Sequence, residues 1–185
     1  RENYQFIGQN RELTILFMDI VGFTSISEKL TPEKVVDMLN AYFSLTSLII
    51  QRNKGDIDKF LGDGVMAIFK NAEDAILAAE DMMKTGLKKL NNTLRSMELP
   101  EINLRMGINS GNLIQGNIGS EERKDWTVVG DVVNTAYRIE ESAEPGTIRI
   151  SENTIEKLQS TKQFRFIQEV MLKGKSESIK VFSPE

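Results

Sequence analysis

Apolar residues follow two different spacings along this chain, and the two spacings predict a mixture of strands and helices. Residues 13–18 form a continuous apolar run, which is typical of a buried central strand. Residues 35–49 place apolar side chains at helical intervals after Thr31 and Pro32, so we expect a long helix with Thr31 as its N-cap. Residues 75–94 keep the same interval and predict a second long helix.

Short apolar segments between turn residues predict the other strands. Residues 57–61 and 65–69 flank a Gly-Asp-Gly sequence, which is a strong hairpin signal. Residues 104–108 and 113–118 are expected to form another strand pair, joined by an Asn-Ser-Gly turn. The remaining predictions are a strand at 126–129, a helix at 131–141, a strand at 148–150, a helix from near Ser151, and strands near 164–166 and 179–182.

The order of these elements predicts the fold class. The first six follow the order β-α-β-β-α-β, which is that of a split βαβ sheet. We therefore expect an α+β protein with a ferredoxin-like βαββαβ core sheet and a C-terminal α/β extension. Residues 13–185 are interpreted as one domain, and the polar residues 1–12 as a linker or lead-in segment.

Composition narrows the possible chemistry. The chain has 185 residues, of which 40% are hydrophobic and 27% charged, a balance typical of one globular domain with a sizeable core. It contains neither cysteine nor histidine. Disulfide scaffolds, zinc fingers, thiolate nucleophiles and histidine bases are therefore excluded. Any catalysis must use carboxylates, amides, hydroxyls, lysine, arginine, or a metal ion held by oxygen atoms.

Charge and hydropathy limit the partners and the location. The net charge of −4 argues against a general nucleic-acid binder, which needs a broad basic face. No apolar run has the length of a membrane span, and no signal peptide is visible. We expect a cytoplasmic protein, or the cytoplasmic domain of a larger and possibly membrane-anchored one. The first residue, Arg1, is not an initiator methionine, which is consistent with an excised domain.

Two aspartates stand where they can hold a cation. Asp19 ends the first apolar run, and Asp63 lies at the tip of the predicted hairpin. Each aspartate alone is more simply a turn residue. In a split βαβ sheet, however, both carboxylates converge at one end of the sheet. Next to Asp19, the turn at residues 22–24 offers backbone N–H groups that favour phosphate, so the pair fits Mg²⁺ held partly by substrate phosphates.

A polar helix face is the next candidate site. Asp131, Asn134 and Arg138 share one face of the predicted helix, while Val133, Ala136 and Tyr137 are expected to face the core. By pattern alone, an ordinary solvated helix face is at least as common. Three basic residues interrupt apolar segments, and each one singly is more simply a solvent-facing side chain: Lys59, Arg105 and Lys173.

Five segments together resemble the catalytic domain of the class III nucleotidyl cyclases, the adenylate and guanylate cyclase family, in its bacterial adenylyl form. The resemblance runs from about Leu13 to the C-terminus. Each motif alone is weak, but five in the family's order are specific. The segments are residues 16–24 (LFMDIVGFT), 59–64 (KFLGDG), 104–111 (LRMGINSG), 129–138 (VGDVVNTAYR) and 172–174 (LKG).

The resemblance implies an adenylyl cyclase that converts ATP into 3′,5′-cyclic AMP and pyrophosphate at sites shared across a homodimer. It implies two Mg²⁺ or Mn²⁺ ions per site and, in the full-length protein, an N-terminal sensor or regulatory domain. The implied roles are metal ligation by Asp19, Asp63 and the backbone carbonyl of Ile20, triphosphate binding by Gly22, Phe23, Thr24, Arg105 and Lys173, purine recognition by Lys59 and Thr127, and orientation of the ribose and α-phosphate by Asn134 and Arg138.

The choice between adenine and guanine depends on Lys59 and Thr127. Lys59 can donate to adenine N1, which is an acceptor, whereas guanine N1 carries a hydrogen. By resemblance, guanylyl cyclases typically have Glu and Cys at these two positions. A hydroxyl at Thr127 can accept from the adenine amino group, but it discriminates less strongly than a carboxylate. The alternatives are a guanylyl cyclase and a catalytically silent cyclase-like module that binds nucleotide or dimerises.

Overall fold

The computed structural model describes residues 8–172, 174 and 176–185, and these residues form one mixed sheet with helices on its faces. The strands of the described residues are β1 (Gly8–Ile20), β2 (Asp56–Leu61), β3 (Gly64–Phe69), β4 (Leu104–Gly119), β5 (Lys124–Val129), β6 (Ile148–Ser151), β7 (Phe164–Met171) and β8 (Ser178–Pro184). The helices are α1 (Phe23–Glu28), α2 (Pro32–Arg52), α3 (Ala72–Asp81), α4 (Leu87–Ser96), α5 (Asp131–Ser142) and α6 (Glu152–Ile155), with a π-helical turn (Met82–Gly86) between α3 and α4.

The strand order confirms the predicted α+β fold. The sheet runs β2-β3-β1-β4-β6-β8-β7, and β5 pairs with β4 outside this path. Strand β1 is antiparallel to β3 on one side and to β4 on the other, as a split βαβ sheet requires. The later strands continue the sheet beyond β4, where β6 is parallel to β4, and they form the predicted C-terminal extension.

Strand β1 begins earlier than the apolar run predicts. It starts at Gly8, which pairs with Gly116, and its pairing with β4 continues to Ile20. Residues 8–12 therefore belong to the sheet, and their interpretation as a lead-in segment is wrong. Their side chains are mostly polar because this end of the strand is more exposed than residues 13–18. Residues 1–7 lie outside the described residues.

Strand β4 replaces the predicted strand pair at 104–118. It is one strand of sixteen residues, and the supposed turn lies within it. Asn109 is buried and donates to the backbone carbonyl of Val132 at 3.1 Å, while Ser151 donates to its Oδ1 at 2.7 Å. Ser110 is also buried, with its hydroxyl 2.7 Å from that of Thr14. These polar side chains find hydrogen-bond partners inside the protein, so they do not need a solvent-exposed turn.

The helix predictions are confirmed apart from one interruption. The Thr31 hydroxyl accepts from the Lys34 backbone N–H at 3.3 Å, as expected of an N-cap, and Pro32 is the first residue of α2. The second predicted helix contains the π-helical turn at its centre. A Cβ on Gly86 would lie 2.7 Å from Ile49 Cδ1, so this turn packs closely against α2.

Both faces of the sheet are apolar. Leu16 and Met18 point to the larger core, which they share with α2, α3 and α4. Ile15 and Phe17 point to a smaller core on the other face, where Met66 of β3 and Val128 of β5 are also buried. Strand β5 pairs with β4, which is separated from β3 by β1. Because Val128 of β5 nevertheless shares a core with Met66 of β3, β5 lies over this face of the sheet. No helix among the described residues is long and apolar enough to cross a membrane.

Candidate active site

The two predicted metal-binding aspartates meet at one end of the sheet. Asp63 lies in the turn between β2 and β3, and its Oδ2 accepts from the backbone N–H of Ile20 at 3.0 Å. Ile20 directly follows Asp19, the penultimate residue of β1. Burial raises the pKa of Asp63, and the negative charge of Asp19 raises it further. The two carboxylates therefore repel each other, and a cation between them would relieve that repulsion.

The donor set fits a cation that substrate phosphates complete. Two carboxylates and the carbonyl of Ile20 are oxygen donors of the type that Mg²⁺ and Mn²⁺ prefer. Among the described residues there is no group of three or more acidic side chains that could hold an ion alone. Mg²⁺ is commonly bound through one or two carboxylates together with phosphate oxygens and water, and this end of the sheet matches that pattern.

Arg105 joins the carboxylate end of the sheet. It lies on β4 opposite Asp19, its Nε donates to Asp19 Oδ1 at 3.0 Å, and a terminal nitrogen donates to Oδ2 at 3.3 Å. Arg105 Nε also lies 3.1 Å from Oε1 of Glu140, whose side chain is almost fully buried. Arg105 thus bridges two carboxylates, one from β1 and one from α5.

Glu140 is a member of this site that the sequence analysis missed. Burial raises the pKa of its carboxyl, and the adjacent Asp19 raises it further, while Arg105 acts in the opposite direction. It lies four residues after Ala136, on the helix face that was predicted to point to the core, and a carboxylate at such a position was the signal that could have found it. Tyr42 was also missed. Its hydroxyl is fully buried without a hydrogen-bond partner among the described residues, and burial, with the charges of the nearby carboxylates, raises its pKa.

The predicted phosphate-binding turn adjoins the carboxylates. Gly22 has a φ of 66°, a conformation that favours glycine, and α1 begins at the next residue, Phe23. The N–H groups in the first turn of a helix have no partner within the helix, so those of Phe23 and Thr24 are available to an anion. A Cβ on Gly22 would meet nothing within 4 Å, so the space beside the turn is open.

The structure also brings together the two residues predicted to recognise the purine. The Thr127 hydroxyl on β5 donates to Asp58 Oδ2 on β2 at 2.7 Å. The ammonium group of Lys59 lies 3.5 Å from the same oxygen. The side chain of Asp58 is almost fully buried, whereas that of Lys59 is 40% exposed. Asp58 is therefore the link between them, and the sequence analysis did not single it out.

Helix α5 presents the third set of predicted residues. Asn134 is exposed and Arg138 half-buried, and neither side chain has a hydrogen bond or ion pair with any described residue. The prediction that Tyr137 faces the core is wrong, because the residue is 47% exposed, although its ring makes a T-shaped contact with that of Phe17. The buried positions of the helix are Thr135, Ala136, Ile139 and Glu140. Lys173, the last predicted site residue, lies outside the described residues.

Comparison with known proteins gives a consistent result. Residues 7–183 match the family model described as the adenylate and guanylate cyclase catalytic domain. An adenylate cyclase of Anabaena cylindrica is 38% identical over 95% of this chain. Among solved structures, the adenylyl cyclase CyaB from P. aeruginosa has a TM-score of 0.90 at 34% identity, covering 96% of this chain and 95% of that one. The guanylyl cyclase Cya2 has a TM-score of 0.88 at 36% identity, covering 96% and 93%.

The similarity concerns the catalytic domain and not whole proteins. The chain covers 37% of the length of the Anabaena cylindrica adenylate cyclase. Adenylyl and guanylyl cyclases are about equally similar to it in structure. The family model, by contrast, spans nearly the entire chain, from residue 7 to residue 183. The chain therefore belongs to the adenylate and guanylate cyclase catalytic domain family.

Proposed function

We propose that this domain is an adenylyl cyclase, which converts ATP into 3′,5′-cyclic AMP and pyrophosphate. The observation that carries the proposal is the pair formed by Lys59 and Thr127 at the Asp58 carboxylate. An ammonium group donates hydrogen bonds and cannot accept them, so Lys59 matches adenine N1 and mismatches the N–H at guanine N1. The partial exposure of Lys59 leaves its ammonium group accessible to a base.

The carboxylate end of the sheet would bind the triphosphate. Asp19, Asp63 and the carbonyl of Ile20 would hold two Mg²⁺ or Mn²⁺ ions. When bound, these ions would lower the pKa of the ribose 3′-hydroxyl and neutralise phosphoryl charge. The N–H groups of Phe23 and Thr24 would bind phosphate oxygens. Each of these residues lies at, or directly follows, the end of β1 or the β2–β3 turn, so a single end of the sheet supplies them.

Charged side chains of the chain would complete the phosphate contacts. Arg105, now bridging Asp19 and Glu140, would neutralise the β- and γ-phosphates together with Lys173. Asn134 would orient the ribose, and Arg138 would stabilise the charge that develops on the α-phosphate during attack by the 3′-hydroxyl. Pyrophosphate leaves as the new phosphate ester forms.

A homodimer with shared sites accounts for the side chains on α5. Asn134 and Arg138 face away from their own core and have no partner among the described residues, as expected if they act on a nucleotide held by a second copy. Large apolar side chains are exposed nearby, on β4, β5 and α5, and a second copy would bury them. These are Ile114, Trp126, Val129 and Tyr137.

A longer protein with a regulatory domain is the second part of this proposal. In the Anabaena cylindrica adenylate cyclase, the region that matches this chain makes up 37% of the length. By analogy, an additional domain would control the activity of the present one, and a position before β1 would let it act on the first strand of the sheet.

A turnover assay with purified protein tests the assignment. Formation of cyclic AMP from ATP and cyclic GMP from GTP is compared with Mg²⁺ and with Mn²⁺. We expect kcat/KM for ATP to exceed that for GTP at least about tenfold, the ratio that one well-placed hydrogen bond supports. A preference for GTP would contradict the adenylyl assignment and favour the guanylyl alternative, which the similarity to Cya2 keeps open. Absence of both products would indicate a silent module.

A further inference from the structure

Asp58 occupies an irregular position in β2. The pairing of β2 with β3 shifts between Ile57, which pairs with Ala67, and Lys59, which pairs with Met66. Asp58 is thus the extra residue of a β-bulge, and a bulge re-aims the side chain of the residue it contains. As a result Asp58 and Lys59, which would point to opposite faces of a regular strand, both reach the same place.

The buried Asp58 carboxylate determines which way the Thr127 hydroxyl points. A threonine hydroxyl has one hydrogen to donate and two lone pairs that can accept. The 2.7 Å contact uses the hydrogen, because an ionised carboxylate can only accept. The lone pairs of Thr127 remain free, so towards a ligand this hydroxyl is an acceptor only.

This fixed polarity distinguishes the two purines. Adenine carries an amino group at position 6, which donates, whereas guanine carries a carbonyl oxygen there, which accepts. A freely rotating hydroxyl could satisfy either group. We propose that Asp58 holds Thr127 as a hydrogen-bond acceptor, so that Thr127 selects the 6-amino group of adenine over the 6-oxo group of guanine. The proposal rests on the adenylyl function proposed above and assigns its base selectivity to a residue that does not itself contact the base.

Lys59 is positioned by the same carboxylate. Its ammonium group has three hydrogens, and the contact with Asp58 at 3.5 Å leaves others for the N1 side of the ring. The Lys59 ammonium is a donor whatever its neighbour, and together with the acceptor that Asp58 sets at Thr127 it complements the adenine edge. Asp58 is a positioning residue, and its effect should appear in the ratio between substrates more than in either rate alone.

The test replaces Asp58 by asparagine, which keeps the size of the side chain but can donate to Thr127. In Asp58→Asn we expect the ratio of kcat/KM for ATP to that for GTP to fall about tenfold, the effect of exchanging one matched hydrogen bond for a mismatch. The ratio of the affinities for ATP and GTP, measured by calorimetry, should fall in parallel. Asp56→Asn, on the exposed side of the same strand, is the matched control and should leave both ratios unchanged.

A double-mutant cycle separates this effect from a purely structural one. In a Thr127→Val background the hydroxyl is absent, so Asp58→Asn should change the ATP to GTP ratio little further. Purine riboside triphosphate has no group at position 6. Its affinity, relative to that of ATP analogues altered elsewhere, should therefore be the same for the wild type and for Asp58→Asn. Equal losses for ATP and GTP in Asp58→Asn would mean that Asp58 only supports the fold, and would overturn the proposal.

The outcomes also separate this proposal from the proposed function. ATP turnover with an unchanged substrate ratio in Asp58→Asn would refute the role of Asp58 and leave the adenylyl function intact. Wild-type protein that forms no cyclic nucleotide, yet loses its binding preference for ATP in Asp58→Asn, would refute the function and retain the role. A wild-type binding preference for GTP would refute both.

Discussion

At the scale of single residues, the carboxylate end of the sheet is a balance of charges. Asp19, Asp63 and Glu140 supply the carboxyl groups, burial raises the pKa of Glu140 to about 9, and Arg105 contacts both Asp19 and Glu140. Arg105 also contacts the Glu140 carboxyl, and this second contact remains when the Asp19 carboxylate turns to another cation. The buried Glu140 therefore contacts the arginine that is proposed to bind phosphate.

The raised pKa of Glu140 predicts a pH-dependent stability. Between the ordinary glutamate pKa of about 4.3 and the raised value of about 9, the folded protein binds more protons than the unfolded chain. The wild-type unfolding free energy should therefore fall as pH rises through this range. Glutamine is neutral throughout, so the stability of Glu140→Gln relative to the wild type should increase from pH 5 to pH 8, by at most about 1.4 kcal/mol per pH unit.

Urea unfolding of metal-free protein at several pH values measures this difference. Glu141→Gln removes the same charge from the exposed neighbouring position of α5 and serves as the matched control. A stability difference for Glu140→Gln that stays constant, or that shrinks towards high pH, would show that the ion pair with Arg105 outweighs the burial of the carboxylate.

The sequence predicted the site residues that lie at the ends of strands. It did not predict those whose roles depend on contacts with residues far away along the chain. Asp19 and Asp63 follow apolar runs, so the chain itself shows that they lie at the sheet end. Asp58 acquires its role from Thr127, which is 69 positions away along the chain, and Glu140 acquires its role from Arg105, on a different element. No local pattern contains those contacts, because they depend on how β5 and α5 pack over the sheet.

At the scale of elements, α5 lies unusually close to β4. A Cβ on Gly107 would lie 2.3 Å from the backbone nitrogen of Glu140 and 2.8 Å from the carbonyl oxygen of Ala136. Both neighbours are backbone atoms and cannot rotate away. Glycine at this position therefore sets the distance between the strand that carries Arg105 and the helix that carries Arg138.

Replacing Gly107 by alanine should displace the helix. We expect Gly107→Ala to lower the unfolding free energy by about 2–3 kcal/mol, in the range of overpacked cores, and to reduce turnover further by moving Arg138. Gly111→Ala on the same strand is the comparison variant, because the nearest atom to its Cβ would be a side-chain carbon of Val132 at 2.7 Å and not a backbone atom, so its loss of stability should be smaller. Urea unfolding compares the two variants, and equal stability would show that α5 has room to shift.

Helices and strands were predicted well where the spacing of apolar residues along the chain shows which side chains are buried. The continuous apolar run located the buried part of β1, and the helical intervals located α2 and α5, whose apolar positions pack on the sheet. The prediction failed within β4 because its central residues are polar yet buried. The hydroxyls of Ser110 and Thr154 lie 2.9 Å apart, and this tertiary contact makes a turn-like sequence compatible with a strand.

At the scale of the whole molecule, shared sites predict complementation between inactive variants. Asp19→Asn would remove one of the two aspartates proposed to bind metal in a site. Arg138→Ala would remove the arginine that α5 is proposed to contribute to the site of the other copy. A mixed dimer then has one doubly defective site and one intact site. After random subunit exchange at equal amounts, half of the dimers are mixed, so about a quarter of the wild-type activity should return.

Cyclic AMP production after mixing measures this recovery, and subunit exchange is verified separately with labelled chains. The matched control mixes Asp19→Asn with Asp63→Asn, since both aspartates would belong to the part of the site that one chain supplies. Every site of that mixture lacks one carboxylate, so it should stay inactive. A complete site within each chain would give no recovery in either mixture.

The β-bulge of β2 implies a trade between regularity and discrimination. A chain lacking residue 58 could pair β2 with β3 without the shift between Ile57 and Lys59, and a continuous ladder leaves no residue unpaired. The shortened strand would gain regular hydrogen bonding while losing the carboxylate under Thr127. If Asp58 acts as proposed, deletion of residue 58 is therefore expected to exchange discrimination between the two nucleotides for a more regular and more stable strand pair.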